Sequence, residues 1–232
     1  MTIDTPQLRL GHGLDGLHAS LTNGPGWRVC LWTQGCSLRC TAHCLNPHFL
    51  SSRGGWLYPV AEVAETLRDL ATRERGIEGV TILGGEPFDQ PAALAELLGA
   101  VRRMHWSTMV YTGHTWEDLA SSGDAAILEF LGRIDVLVDG PYLPQQHCAD
   151  LIWRGSRNQR LLCLTDRYGP ESLEAAGRRQ GKAFSIRAEP AGAIAVSGIQ
   201  ERPVAQAIET MLEARPGDAA DRRFRERRDR GE

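Results

Sequence analysis

Residues 27–47, WRVCLWTQGCSLRCTAHCLNP, run an apolar strand, Trp27–Thr33, straight into a loop that carries Cys36, Cys40 and Cys44. Three cysteines this close together, with no fourth in the loop, make an unusual donor set. A tetrahedral zinc site or a closed iron–sulfur site takes four ligands, so a compact set of three points to a [4Fe–4S] cluster with one iron left open. The spacing alone leaves two other readings standing: a zinc site completed by His43 or His48, and thiols on a loop that hold no metal.

Further along, Leu83-Gly84-Gly85-Glu86-Pro87 ends a strand read at Gly79–Leu83 and precedes a helix read at Pro91–Met104. Two glycines let backbone approach a ligand closely, and a carboxylate beside them can hold an ammonium group. Alone, this is an ordinary strand-to-helix turn. Behind a three-cysteine loop it supports a bound cofactor.

The rest of the chain alternates short apolar runs with helical periodicity, the pattern of parallel strands joined by helices in an α/β fold. Strands are expected at Trp27–Thr33, Gly79–Leu83, Thr108–Tyr111, Ile134–Val138 and Gln159–Leu164. Helices are expected at Val60–Arg75, Pro91–Met104, Trp116–Ala120 and Ala125–Leu131. Ligands of such sheets sit beyond the carboxyl ends of the strands, where the cysteine loop, Gly84–Pro87, Thr112-Gly113 and Asp139-Gly140 all fall.

Those motifs, with Asn23-Gly24-Pro25-Gly26 before the first strand, Cys44-Leu45-Asn46-Pro47, Tyr111-Thr112-Gly113, Val136–Gly140 and Leu151–Gln159, resemble the radical S-adenosylmethionine (SAM) enzymes. Within them the order is most similar to the small activating enzymes of glycyl-radical proteins, over roughly residues 8 to 165. The resemblance implies a partial, open (β/α) barrel of mostly parallel strands. It also implies a [4Fe–4S] cluster, SAM, and reductive cleavage of SAM to a 5′-deoxyadenosyl radical that takes a hydrogen atom from a substrate C–H bond. The implied partners are a glycyl-radical enzyme, of the anaerobic ribonucleotide reductase kind, and an electron donor such as flavodoxin or ferredoxin. Docking of the glycyl loop is implied near Asn23–Trp27.

The family places two residues between its second and third cysteines, whereas Thr41, Ala42 and His43 separate Cys40 from Cys44. Either one residue is inserted or His43 stands at the ligand position. Because x-Asn-Pro commonly follows the family's third cysteine, and Leu45-Asn46-Pro47 follows Cys44, the expected ligands are Cys36, Cys40 and Cys44. The resemblance then puts His43 and Asn46 near SAM, His43 stacked on the adenine. It gives the SAM ammonium to Gly84, Gly85, Glu86 and Pro87, through Glu86 or adjacent carbonyls. Thr112, Gly113, Ser156 and Asn158 become candidates for ribose or carboxylate contacts, with loop capping as the plain alternative. Asp139 is a candidate for binding substrate backbone or a small cation, against a structural turn aspartate. No general base is expected, since the radical chemistry belongs to the cofactor.

At 232 residues with a net charge of −3, the chain is long enough for one sizeable core and has no global basic field to attract nucleic acid or an anionic membrane. With no long apolar run and no apolar stretch at the start, neither a membrane span nor a secretory signal is expected, and the cytoplasm is the expected location. Six cysteines there should stay reduced, which suits thiolate ligation. Cys30 and Cys163 lie in apolar strands and read as small hydrophobes; Cys148 sits in a polar segment. Residues 1–214 read as a single domain, ending in a strand around Ala193–Val196 and a short helix at Ala205–Ala214. Residues 215–232, with seven arginines against five acids, read as a charged disordered tail. Two other functions fit parts of the sequence: a small radical SAM maturase acting on a peptide, and a non-enzymatic iron–sulfur or zinc binding module. No phosphate-loop motif is present.

Overall fold

The computed structural model describes residues 6–180 and two further short strands. In chain order the elements are β1 (Gln7–Leu10), β2 (Ala19–Ser20), β3 (Arg28–Thr33), β4 (Trp56–Pro59), α1 (Val60–Arg73), β5 (Gly79–Gly84), α2 (Pro91–Arg103), β6 (Ser107–Tyr111), α3 (Trp116–Ala120), α4 (Ala125–Leu131), β7 (Val136–Asp139), β8 (Arg160–Cys163), α5 (Pro170–Gln180), β9 (Ser185–Ala188) and β10 (Ile194–Ser197). Short 3-10 turns add Pro47–Phe49 in the cysteine loop and Pro87–Asp89 after β5.

Eight strands form one open mixed sheet in the order β4-β1-β3-β5-β6-β7-β8, with β2 beside β3. The centre, β3-β5-β6-β7, is parallel as expected. The flanks correct the sequence reading: the strand expected at Gln159–Leu164 forms, as β8, but runs antiparallel to β7. Strands β1, β2 and β4, all paired antiparallel, carry too little pattern in two to four residues to be read beforehand. The last expected strand exists as β10, paired with β9 in a separate two-stranded sheet. The expected helix at Ala205–Ala214 and the tail at 215–232 lie outside the described residues.

Alternation along the strands sorts the core onto two faces. Val29, Leu31, Val80, Ile82, Val110 and Leu137 pack with the buried faces of α1 and α2 and with Phe130 of α4. The intervening positions Met109, Val136 and Val138 face the other way, onto Trp153 and Leu173 of α5. Helix starts follow local chemistry. Pro91 opens α2, Thr115 caps α3 by accepting from Asp118, and Asp124 caps α4 by accepting from Ala126 and Ile127.

This arrangement fixes where a site can be. In the parallel register Thr33 lies opposite Gly84, and Tyr111 opposite Val138, so the loops after β3, β5, β6 and β7 leave from one edge. Trp27 leads directly into β3, while Asn23 folds back over the sheet face: its carbonyl accepts from Thr81 Oγ1 at 2.8 Å and its side-chain amide donates to Cys30 Sγ at 3.4 Å, both positions in the middle of their strands. No helix among the described residues is long and apolar enough to cross a membrane.

Candidate functional site: the cysteine loop and its neighbours

The cysteine loop is closed at its base by main-chain bonds. Gly35 N–H donates to the Phe49 carbonyl at 2.8 Å and Cys36 N–H to the Leu50 carbonyl at 3.2 Å. The Gly-Gly-Glu turn is bonded onto the same base: Gly85 N–H donates to Thr33 O and Glu86 N–H to Gly35 O, both at 2.8 Å. The glycines are needed for this contact. A Cβ on Gly85 would fall 1.8 Å from the Gly35 carbonyl oxygen, and Gly84, at φ +115°, lies against the Thr33 backbone. What they admit is the cysteine loop itself.

Side chains add a second set of ties. Asp89, on the 3-10 turn after the glutamate, accepts from both the amide and the hydroxyl of Ser37. Gln34 donates to the carbonyls of His48 and Ser51, and Gln90 donates to that of Arg9. Sequence reasoning missed these residues because nothing in their spacing marks them. Asp89 lies close behind the quoted turn, in Gly85-Glu86-Pro87-Phe88-Asp89.

Glu86 is buried, and its carboxylate accepts from Phe88 N–H, Thr112 Oγ1 and Gly113 N–H at 2.8 to 3.0 Å. Burial pushes its carboxyl up to about 7, against the pull of those three donors. Glu86 thus welds the turn after β5 to the loop after β6, and Thr112 and Gly113 are engaged in the same weld. Pro87 is buried beneath it.

The three thiols lie within electrostatic reach of one another: a charge on Cys44 raises Cys40, and one on Cys36 raises Cys44. Partial burial pushes all three above the ordinary thiol range. Backbone amides work against that rise, from Leu38 and Arg39 at Cys36, from Tyr142 at Cys40 and from Asn46 at Cys44, the last at 3.4 Å. Arg39 takes φ +42°, a left-handed conformation in the turn between the first two cysteines. Amides aimed at sulfur are the outer-shell bonds that stabilise thiolate ligands and tune a cluster, so the loop fits one. Among the described residues no three His, Cys, Asp or Glu side chains gather tightly enough to hold a single metal ion. His43 and His48 are both exposed.

The other expected contacts form a second group around the end of β7. Asp139 is buried; it accepts from Trp116 N–H at 2.8 Å and pairs with Arg160, which also grips Glu117. Ser156, fully buried, accepts from Leu143 N–H. Asn158 donates to the Pro141 carbonyl at 2.7 Å, while its Oδ1 is buried without a hydrogen-bond partner among the described residues. That orphaned acceptor is open to a donor from a bound molecule. Tyr142, whose amide faces Cys40, lies on the segment that joins this group to the cysteine loop. Cys30 is buried as expected, whereas Cys148 and Cys163 are half-buried.

A cavity of about 500 Å³ opens on the other side of the loop, towards β1 and β4. Its lining includes Arg9, Gln34, Cys36, Leu57, Asp89 and Gln90, and none of the expected SAM contacts.

Fold and loop together define an α/β protein with a cysteine-bearing edge, and comparison with known families says which. Residues 22–162 match the family described as "4Fe-4S single cluster domain". The chain is 34% identical over 152 residues to the anaerobic ribonucleoside-triphosphate reductase-activating protein of Enterobacteria phage T4, covering 62% of this chain and 88% of that protein. The proteins of the same name from Pasteurella multocida and Escherichia coli K12 are 33% and 30% identical, over 62% and 60% of this chain and 92% and 90% of theirs. The chain belongs to the family of 4Fe–4S single-cluster domains that includes these activating proteins.

Proposed function

We propose that this chain is a radical SAM activating enzyme that generates a glycyl radical on an anaerobic ribonucleotide reductase-like partner. The observation that carries the reading is the bonding of the Gly-Gly-Glu turn to Gly35. It sets the turn's backbone beside the first cysteine, in a chain related to activating proteins along most of their length.

Cys36, Cys40 and Cys44 are the proposed ligands of a [4Fe–4S] cluster, with one iron left for SAM. Bound and reduced there, the cluster and SAM together supply a 5′-deoxyadenosyl radical able to remove a hydrogen atom from a glycine Cα. The chain's own residues bind and orient. The carbonyls of Gly84 and Gly85 receive the SAM ammonium, because the Glu86 carboxylate is already occupied by its three donors. Glu86, Pro87, Thr112 and Gly113 hold that turn in position. Asn158 Oδ1 offers an acceptor for a ribose hydroxyl. Ser156 and Asp139 fix the backbone around it, and Asn46 directs its amide at Cys44. His43, exposed on the loop, would cover the adenine from the solvent side.

In this reading residues 1–214 act as one unit, a partial (β/α) barrel of the radical SAM type, in the cytoplasm, with a flavodoxin or ferredoxin as electron donor. The test is anaerobic reconstitution with iron and sulfide, then dithionite and SAM. The expected product is 5′-deoxyadenosine, followed by a glycyl radical seen by electron paramagnetic resonance on an added anaerobic reductase. A reconstituted cluster that leaves SAM intact under strong reduction overturns the reading.

A further inference from the structure

The stretch from Gly16 to Ala61 contains no aspartate or glutamate, in a chain that carries 29 of them and a net charge of −3. Arg39 and Arg53 within it are exposed. This stretch and β1 build the rim of the cavity beside Cys36. Arg9 lines the cavity and donates to the Gly54 carbonyl, and Arg53 lies between that glycine and Ser52, another lining residue. The acid in the wall, Asp89, has each oxygen engaged by Ser37. Beside the arginines, Trp56 and Leu57 of β4 are 53% and 52% exposed, and no strand among the described residues pairs with the outer edge of β4. A basic rim with a small apolar patch therefore surrounds a cleft that reaches the first cysteine.

We propose that this rim is the docking surface of an acidic one-electron carrier protein, which delivers its electron to the cluster through the cleft at Cys36. The inference rests on the cluster reading above. One electron leaves the carrier and enters the cluster, so the carrier is oxidised by one electron, and no bond between the proteins forms or breaks. Carrier complexes of this kind bury little area and are oriented by complementary charge. That is what a local basic field on an otherwise acidic protein supplies. A polypeptide substrate laid along β4 would be read through its main chain, and the arginine rim would add nothing to that.

The test uses the reconstituted holoprotein, reduced flavodoxin as the acidic carrier, and dithionite as a small reductant that needs no docking. Arg53→Glu and, separately, Leu57→Asp are compared with the wild type, with Arg53→Lys as the charge-keeping variant. Flavodoxin-driven 5′-deoxyadenosine formation at low salt is expected to fall about tenfold or more in the first two, and flavodoxin affinity by titration calorimetry to fall with it. Arg53→Lys and all dithionite-driven rates stay at the wild-type level, and added salt suppresses only the flavodoxin-driven rate. Equal losses with both reductants, or an unchanged flavodoxin rate and affinity, overturn the proposal. So does loss confined to hydrogen transfer from the polypeptide, which would give the surface to the substrate. A wild type that cleaves no SAM with either reductant defeats the enzyme reading, and the affinity titration still decides the surface.

Discussion

Asp89 holds Ser37 by two bonds, from its amide at 2.7 Å and its hydroxyl at 2.6 Å. The pair links the turn after β5 to the residue that follows Cys36. Asp89→Ala removes both acceptors, which costs about 1–3 kcal/mol of local ordering for charge-assisted bonds of this kind. Amide exchange at Ser37 in the metal-free chain is expected to speed up about tenfold or more, and iron retention after reconstitution to fall. Exchange at the wild-type rate would show that the main-chain bonds at Gly35 and Cys36 hold the loop unaided.

Glu86 gives a pH signature. Its carboxyl sits at about 7 in the fold and near 4.3 in an unfolded chain. Between those values the folded state binds the extra proton, so stability falls as pH rises through this window and levels off above it. The fall is of order 3 kcal/mol in the metal-free protein. Glu86→Gln should flatten that stretch of the curve, at a lower starting stability because its amide would face Gly113 N–H. Denaturant unfolding from pH 4.5 to 8 reads both effects; an unchanged slope in the variant would assign the titration elsewhere.

Cys36→Ala, Cys40→Ala and Cys44→Ala should each lose the reconstituted iron and the cleavage of SAM. His43→Ala should keep the iron, because the imidazole is exposed on the loop. Iron analysis after anaerobic desalting decides it, and iron lost in the histidine variant with Cys44→Ala intact would transfer the ligand role.

Arg28 is a buried cation with no carboxylate partner among the described residues. Its guanidinium donates to Thr81 Oγ1, to Ser107 Oγ and to the carbonyls of Pro25, Val80 and Ser107, at 2.6 to 3.2 Å. Arg28→Ala would orphan these acceptors and leave a cavity, a loss of about 3–5 kcal/mol. Arg28→Lys should rescue little, since an ammonium cannot reproduce the planar fork. Equilibrium unfolding of the metal-free chain measures both.

The sequence carried the centre of the fold well. Strands β3, β5, β6 and β7 each have a run of buried apolar residues long enough to declare itself, and α1 and α2 show their buried stripe as a period. The antiparallel flank was not legible. Trp56–Pro59 is exposed along half its length and owes its strand form to pairing with Gln7–Leu10, a contact that no local pattern encodes. The same division holds at the site. Cysteine spacing marked the loop, but nothing in the pattern showed that the side chains of Glu86 and Thr112 bind each other at 2.8 Å. A motif tells which residues meet, while the direction of a carboxylate is settled by which buried amides lie near it.

The main-chain closure of the cysteine loop has a consequence for how such a chain can vary. Gly35–Phe49 and Cys36–Leu50 are joined through backbone atoms, and the side-chain ties to the loop fall at Ser37 and His48, so the closure does not depend on how many residues separate Cys40 from Cys44. Lengthening a loop already closed at its base costs little, since closure entropy grows only with the logarithm of length. The extra residue between Cys40 and Cys44 lies wholly inside that closure. Insertions and deletions there become a cheap evolutionary variable, able to reshape the surroundings of a cofactor while the scaffold that presents it is inherited unchanged.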